Sequence, residues 1–252
     1  MTPILIAGAT LAGRRWGPRV SGWLIGFPLT SGPVSVILAL QYGSDFASHA
    51  AIGNIAGLAS IVAFALTYNF ISRKQGWLLS ASLAALAFLA STFVFNSFTL
   101  TLIPTFVIVV ISIGLFLKVV PHQDIAANTA GAPKWDLPAR MIIATVFVVS
   151  LTAAASVLGP QLSGLITPFP VFGTVLSIFA HQHQGPDAAV QLLRGMGLSL
   201  FGVAGFFLIV GALLSALGPL PTYLLAVLID FSTNALALYL SRQNKSELFE
   251  EV

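Results

Sequence analysis

The sequence predicts an all-α integral membrane protein of about nine transmembrane helices, arranged as two inverted four-helix repeats joined by a linking helix. Three observations predict it. The 252-residue chain is 57% hydrophobic and only 8% charged, against roughly 25% charged in soluble domains. Its apolar runs are about 18–25 residues long and do not alternate. Its second half repeats residues of its first half at a fixed spacing.

No single soluble core hides this much apolar side chain, and the mean hydropathy of +0.94 agrees. Lipid admits only helices or closed barrels, because every backbone polar group must be satisfied internally. The unbroken apolar runs choose helices. The net charge of +3 points to no nucleic-acid partner, and the absence of cysteine excludes disulfides and thiolate chemistry. The stretch MTPILIAGATLAGRR lacks the basic start and small-residue cleavage site of a signal peptide. It reads as a short first membrane helix.

Nine segments follow in order: 2–13, 20–42, 47–71, 77–95, 98–119, 138–158, 162–182, 188–214 and 219–240. The first is too short to cross a core of about 30 Å at about 1.5 Å per residue. Residues 1–97 form the first repeat and 98–119 the linking helix. A cytoplasmic loop covers 120–137, the second repeat 138–240 and a polar tail 241–252. Basic residues gather in alternate loops: Arg14, Arg15 and Arg19, then Arg73 and Lys74, then Lys118, Lys134 and Arg140, then Arg242 and Lys245. The positive-inside rule places the N-terminus outside and the C-terminus in the cytoplasm.

The repeat has a spacing of 142 residues. Gly17-Pro18 falls on Gly159-Pro160, Ser21-Gly22 on Ser163-Gly164 and Phe27-Pro28 on Phe169-Pro170. Gly43, Asp45 and Ala47 fall on Gly185, Asp187 and Ala189, and Gly53 on Gly195, which makes ten identities without a gap. A four-helix unit begins and ends on one side of the membrane, so one linking crossing inverts the second copy. Inverted repeats recur in transporters, with substrate sites near the midplane at the repeat interface.

The stretches WGPRVSGWLIGFPLTSGP and LGPQLSGLITPFPVFGT each break a segment. Proline removes a backbone donor and disfavours helix at the residue before it. Broken backbone is tolerated in a membrane only inside protein or along a wet cavity. Phe27, Pro28, Thr30, Ser31, Gly32, Phe169, Pro170 and Thr174 are therefore candidate substrate-binding residues, with Asn234 joining them. Kinked packing helices with glycine at close contacts are the alternative.

Asp230 lies near the middle of segment nine, and Asn234 one turn on shares its face. An acid at this depth costs several kcal/mol unless protonated or paired. Arg194 lies roughly 10 Å from the cytoplasmic end and Asp230 roughly 15 Å. They are a candidate proton-coupling or ion pair, with a structural lock between segments eight and nine as the alternative. His181 and His183 sit at the end of segment seven, without a convergent third ligand. Interfacial hydrogen bonding is their first reading, and no metal or other cofactor is expected. Asp136 and Pro138 in WDLPAR read as a cap and a first-turn proline. No Walker loop, HExxH motif or arginine ladder is present.

The pattern GPQLSGLITPFPVFGTVLSIFAHQHQG, with LLRG downstream, resembles the GlpM-like family of small four-helix bacterial membrane proteins. The matching positions are Gly164, Phe169, Pro170, Ala180, His181, Leu193 and Arg194. The resemblance covers roughly residues 140–240, with a weaker echo in 1–95, and implies a bacterial inner-membrane location. It carries only a loose link to alginate production and no assigned chemistry. This chain departs from that family by fusing two units through segment five. The whole chain also looks like a group of proteobacterial inner-membrane proteins with GPRVSGW…GFPLTSGP and DLPAR signatures.

The expected function is a secondary transporter or flippase for a small-molecule or lipid substrate, rather than an enzyme. Its central site lies at the breaks in segments two and seven, with proton coupling through Asp230. The alternative is a scaffold or assembly factor for envelope polysaccharide or lipid machinery. A lipid enzyme using the histidines and a pore framed by the breaks are weaker options. Membrane lipid and a second copy of the chain are the remaining expected partners.

Overall fold

The computed structural model describes residues 2–28, 31–123, 135–143, 145, 146, 149 and 169–250, and every regular element among them is helical. The first half holds α1 (Thr2–Trp16), α2 (Pro18–Ile25), α3 (Ser31–Tyr42), α4 (Ser44–Ser72), α5 (Trp77–Asn96) and α6 (Leu102–Val119). Helical residues in 136–149 make up α7. Then come α8 (Val171–Gln184), α9 (Pro186–Leu217) and α10 (Pro219–Glu250).

Five helices are long and apolar enough to cross a membrane: α4, α5, α6, α9 and the Pro219–Ala237 stretch of α10. This is the composition of a multi-pass helical membrane protein. Nine full crossings are not found among the described residues. At 15 residues α1 spans about 22 Å, and α8 has only 14 residues. Most of segment six, 138–158, lies outside the described residues. Segment two is not one helix. It divides into α2, of eight residues, and α3, of twelve.

Single glycines make four of the turns. Gly17, Gly43, Gly185 and Gly218 have φ of 92°, 90°, 91° and 76°, with ψ between 164° and 174°. L side chains rarely adopt that backbone region. Each glycine N–H closes the last turn of the helix before it, as Gly185 does on the His181 carbonyl at 3.1 Å. Pro18, Pro186 and Pro219 then open the next helix, where a missing N–H costs nothing. Gly17-Pro18, Gly185-Pro186 and Gly218-Pro219 are thus one-residue corners between helices.

α9 is the axis of the bundle, with α2, α4, α6, α8 and α10 packed around it. Its start is joined to the end of α8 by Gly185. Tyr68, near the end of α4, bonds His181 of α8 at 3.1 Å. At the other end, Ser48 of α4 donates to the Gly211 carbonyl of α9 at 2.9 Å. The two long helices therefore run antiparallel. Large apolar side chains such as Leu86, Phe93, Ile103, Ile111, Leu224 and Leu228 stay exposed on α5, α6 and α10, as surfaces solvated by lipid require.

Close packing on α9 rests on glycine. A Cβ at Gly22 of α2 would overlap the Leu192 carbonyl, and one at Gly195 of α9 would overlap the Arg19 carbonyl. Gly26 lies against Ser199 in the same way. In lipid, helices gain little from hydrophobic exclusion, so small residues that let backbones meet drive their association. Gly22→Val should lower stability by about 1–3 kcal/mol or more, read as a fall in the thermal midpoint of the detergent-solubilised protein. Gly53→Ala, where a Cβ meets nothing within 4 Å, should leave that midpoint unchanged or raise it.

Candidate functional site

Polar side chains collect in two places. The first is the end of the bundle where α1 and α8 finish and α7 and α9 begin. Asp136, fully buried, is its hub. Its Oδ2 accepts Arg14 Nη2 at 2.7 Å and Arg140 Nε at 3.0 Å. Its Oδ1 accepts Arg140 Nη2 at 3.1 Å and lies 3.2 Å from His183 Nε2. Arg140 stacks over the Phe179 ring at 4.6 Å. Burial opposes the charge on Asp136, but the bonds and charge of Arg140, then those of Arg14 and His183, outweigh it and hold the carboxyl below its ordinary value.

The same end carries a second set of contacts. Arg194 of α9 donates from Nε to the Val120 carbonyl at 2.7 Å, and Gln191 donates to the Pro121 carbonyl at 3.0 Å. These two side chains cap α6, whose last carbonyls have no helical partner. Arg19 approaches His122 at 3.4 Å. Arg14, Arg19, Arg140 and Arg194 therefore share one end of the molecule.

The second place is the α9–α10 interface. Asp230 and Asn234 are 3% and 1% exposed. Asn234 Nδ2 donates to Asp230 Oδ1 at 2.9 Å and to the Asp230 carbonyl at 3.1 Å. Gly202 of α9 makes room for them, since a Cβ there would overlap both side chains. Asn234 Oδ1 is buried without a partner.

The structure corrects one expectation. Arg194 and Asp230 are not an ion pair: Arg194 holds the end of α6, while Asp230 bonds Asn234. Eight residues of α9, about 12 Å, separate Arg194 from the Gly202 position that receives Asp230.

The breaks are also differently disposed from a pair that faces across open space. Phe27 packs edge-on against Trp23 at 4.9 Å and against Phe231 of α10 at 5.6 Å. The Pro28 carbonyl accepts the Gly32 N–H at 2.9 Å. Ser31 is half-buried at the start of α3 and Gly32 is buried, 3.6 Å from Phe206 measured from a Cβ position. Thr30 lies outside the described residues. On the other side, Phe169 packs against Phe64 and Phe88 at 6.1 and 5.2 Å. The Pro170 carbonyl accepts both the N–H and the hydroxyl of Thr174, at 2.8 and 2.9 Å. Thr174 thus satisfies the first turn of α8. Met196 of α9 lies between the two breaks, its carbonyl at Gly26 and its sulfur at Gly173.

Asp136 was legible only as a cap. Its spacing to Arg140 is the i,i+4 signal of a helical ion pair, but Arg14 and His183 arrive from distant positions. Comparison with family models, curated proteins and solved structures finds no match for this chain.

Asp136→Asn strands a buried guanidinium at Arg140 and should cost about 3–5 kcal/mol, seen as a lower thermal midpoint. A carboxyl held below its ordinary value contributes stability that is complete above the unfolded value near 4 and is lost as pH falls through the lower folded one. Acidification through that window should destabilise the wild type and leave the Asn variant comparatively flat.

Proposed function

We propose that this protein is a secondary transporter or flippase of a bacterial inner membrane, built from two inverted four-helix units. The observation that carries the reading is the matched pair of corners at Gly43 and Gly185. They stand 142 residues apart with φ of 90° and 91°. Each joins a short helix ending at Tyr42 or Gln184 to a long one. The long helices so matched, α4 and α9, run antiparallel, as inversion demands. The basic end of the bundle lies in the cytoplasm on this reading, with the N-terminus outside.

The central site lies where the breaks flank Met196. Phe27, Pro28, Ser31 and Gly32 line one side, Phe169, Pro170 and Thr174 the other. The substrate is a small molecule or a lipid. Asp230 takes up and releases the proton, and Asn234 positions it while keeping one acceptor open. The contact between Phe27 and Phe231, the residue after Asp230, links the break to the acid.

A scaffold for envelope polysaccharide or lipid machinery is the second reading. The backbone contact of Gly22 and Gly26 with α9 favours it, because that face leaves no space for a substrate.

The chain lacks cysteine, so single cysteines at Ser31 and Thr174 report on access directly. Thr174 is 6% exposed, and its labelling by an impermeant maleimide requires the segment to open. The transporter reading expects both positions to label, at least one of them from both faces of the membrane. Protection of both in protein that labels at a loop control decides for the scaffold. Asp230→Asn should abolish the pH dependence of labelling without unfolding the protein.

A further inference from the structure

Beside the Asp136 hub lies a pocket of about 40 Å³. Its polar wall consists of Thr10, Arg14, Ser21, Arg140, His183 and Gln184. The wall joins α1 and α2 of the first half to α7 and α8 of the second. Two features of it call for a ligand.

The first is charge. The wall itself carries no carboxylate among the described residues; Asp136 lies behind it, bonded to its two guanidiniums. Its two oxygens already accept from Arg14, Arg140 and His183. One positive charge remains in excess before any protonation of His183. Arg14 gives Nη2 to Asp136 and retains the rest of a five-donor fork at the wall. A partly desolvated cation without a matching anion is costly.

The second is an orphan. Thr10 is 3% exposed, lines the pocket, and its Oγ1 has no hydrogen-bond partner. Buried hydroxyls are nearly always satisfied, and an exception asks for a missing partner. The volume holds about three water-sized groups. That matches the three terminal oxygens of one phosphate group. A guanidinium fork with hydroxyl and amide donors around it suits phosphate geometry better than a spherical ion.

We propose that this pocket binds a terminal phosphate group, carried either by a soluble phosphate or by an anionic lipid head at the membrane surface. Arg14 and Arg140 supply the charge, and Thr10, Ser21 and Gln184 the neutral donors. The site is independent of transport: it lies at the hub end of the bundle, apart from Asp230 and the breaks.

The test uses the full chain in maltoside detergent, with the thermal midpoint followed against inorganic phosphate at constant ionic strength. A parallel arm adds short-chain phosphatidic acid, with phosphatidylcholine as control. A saturable rise of the midpoint is expected in at least one arm, because a ligand that binds only the folded state stabilises it. A response to inorganic phosphate identifies a soluble anion, and a response to phosphatidic acid alone identifies a lipid head. Arg14→Gln should weaken the binding roughly tenfold. Thr10→Val should weaken it several-fold while keeping or raising the ligand-free midpoint, since the orphan hydroxyl is gone. The absence of a saturable rise in both arms overturns the proposal. So does an affinity that Thr10→Val leaves unchanged, and that variant decides the matter if Arg14→Gln does not fold.

Discussion

Backbone contact along α9 is the constraint on which the rest of the structure depends. Lipid gives helices little reason to associate through apolar side chains alone. What remains is contact area and hydrogen bonding at short range. Gly195 and Gly202 open one side of α9 after another to Arg19, Asp230 and Asn234. Gly197 and Gly211 do the same for Phe116 and Leu102 of α6. Each glycine thus admits a particular neighbour, and the packing of α2, α6 and α10 follows from where these residues fall on a single helix.

The polar sites are products of that packing. Asp230 and Asn234 can sit inside the α9–α10 interface because Gly202 has no side chain. Arg194 reaches the end of α6 because α9 carries it there. The Asp136 hub forms at the same end, where helices from both halves of the chain converge. Arg14, Asp136, Arg140 and Arg194 gather at one end of the bundle, and Asp230 and Asn234 bond each other inside it.

The helical membrane class was plain from composition, and the long helices α4, α5, α6 and α9 lie close to their expected ranges. Periodicity marks such helices well because their apolar runs are continuous. Segment two was read as one broken helix rather than as α2 and α3, because proline reads alike in a kink and near the start of a new helix. The expected pair of Arg194 with Asp230 came from counting depth inward from the ends of two helices, and that count placed them too close in height: about 12 Å of α9 separates Arg194 from the Gly202 position that receives Asp230. Which glycine receives which neighbour fixes their relative height, and one sequence does not display that. The hub at Asp136 was half legible through Arg140, four residues on. Arg14 and His183 were beyond reach because nothing local says which loops meet.

The hub also sets an order of events during synthesis. Arg14 leaves the ribosome early, while Asp136 and His183 follow more than a hundred residues later. At about 5–20 residues per second, the wait for His183 is roughly ten to thirty seconds. Throughout that interval α1 sits in or near the bilayer with its arginine unmatched by the carboxylate it will finally hold. The first helix therefore cannot lock into place alone, and the clasp that closes the bundle forms only once α8 has been inserted.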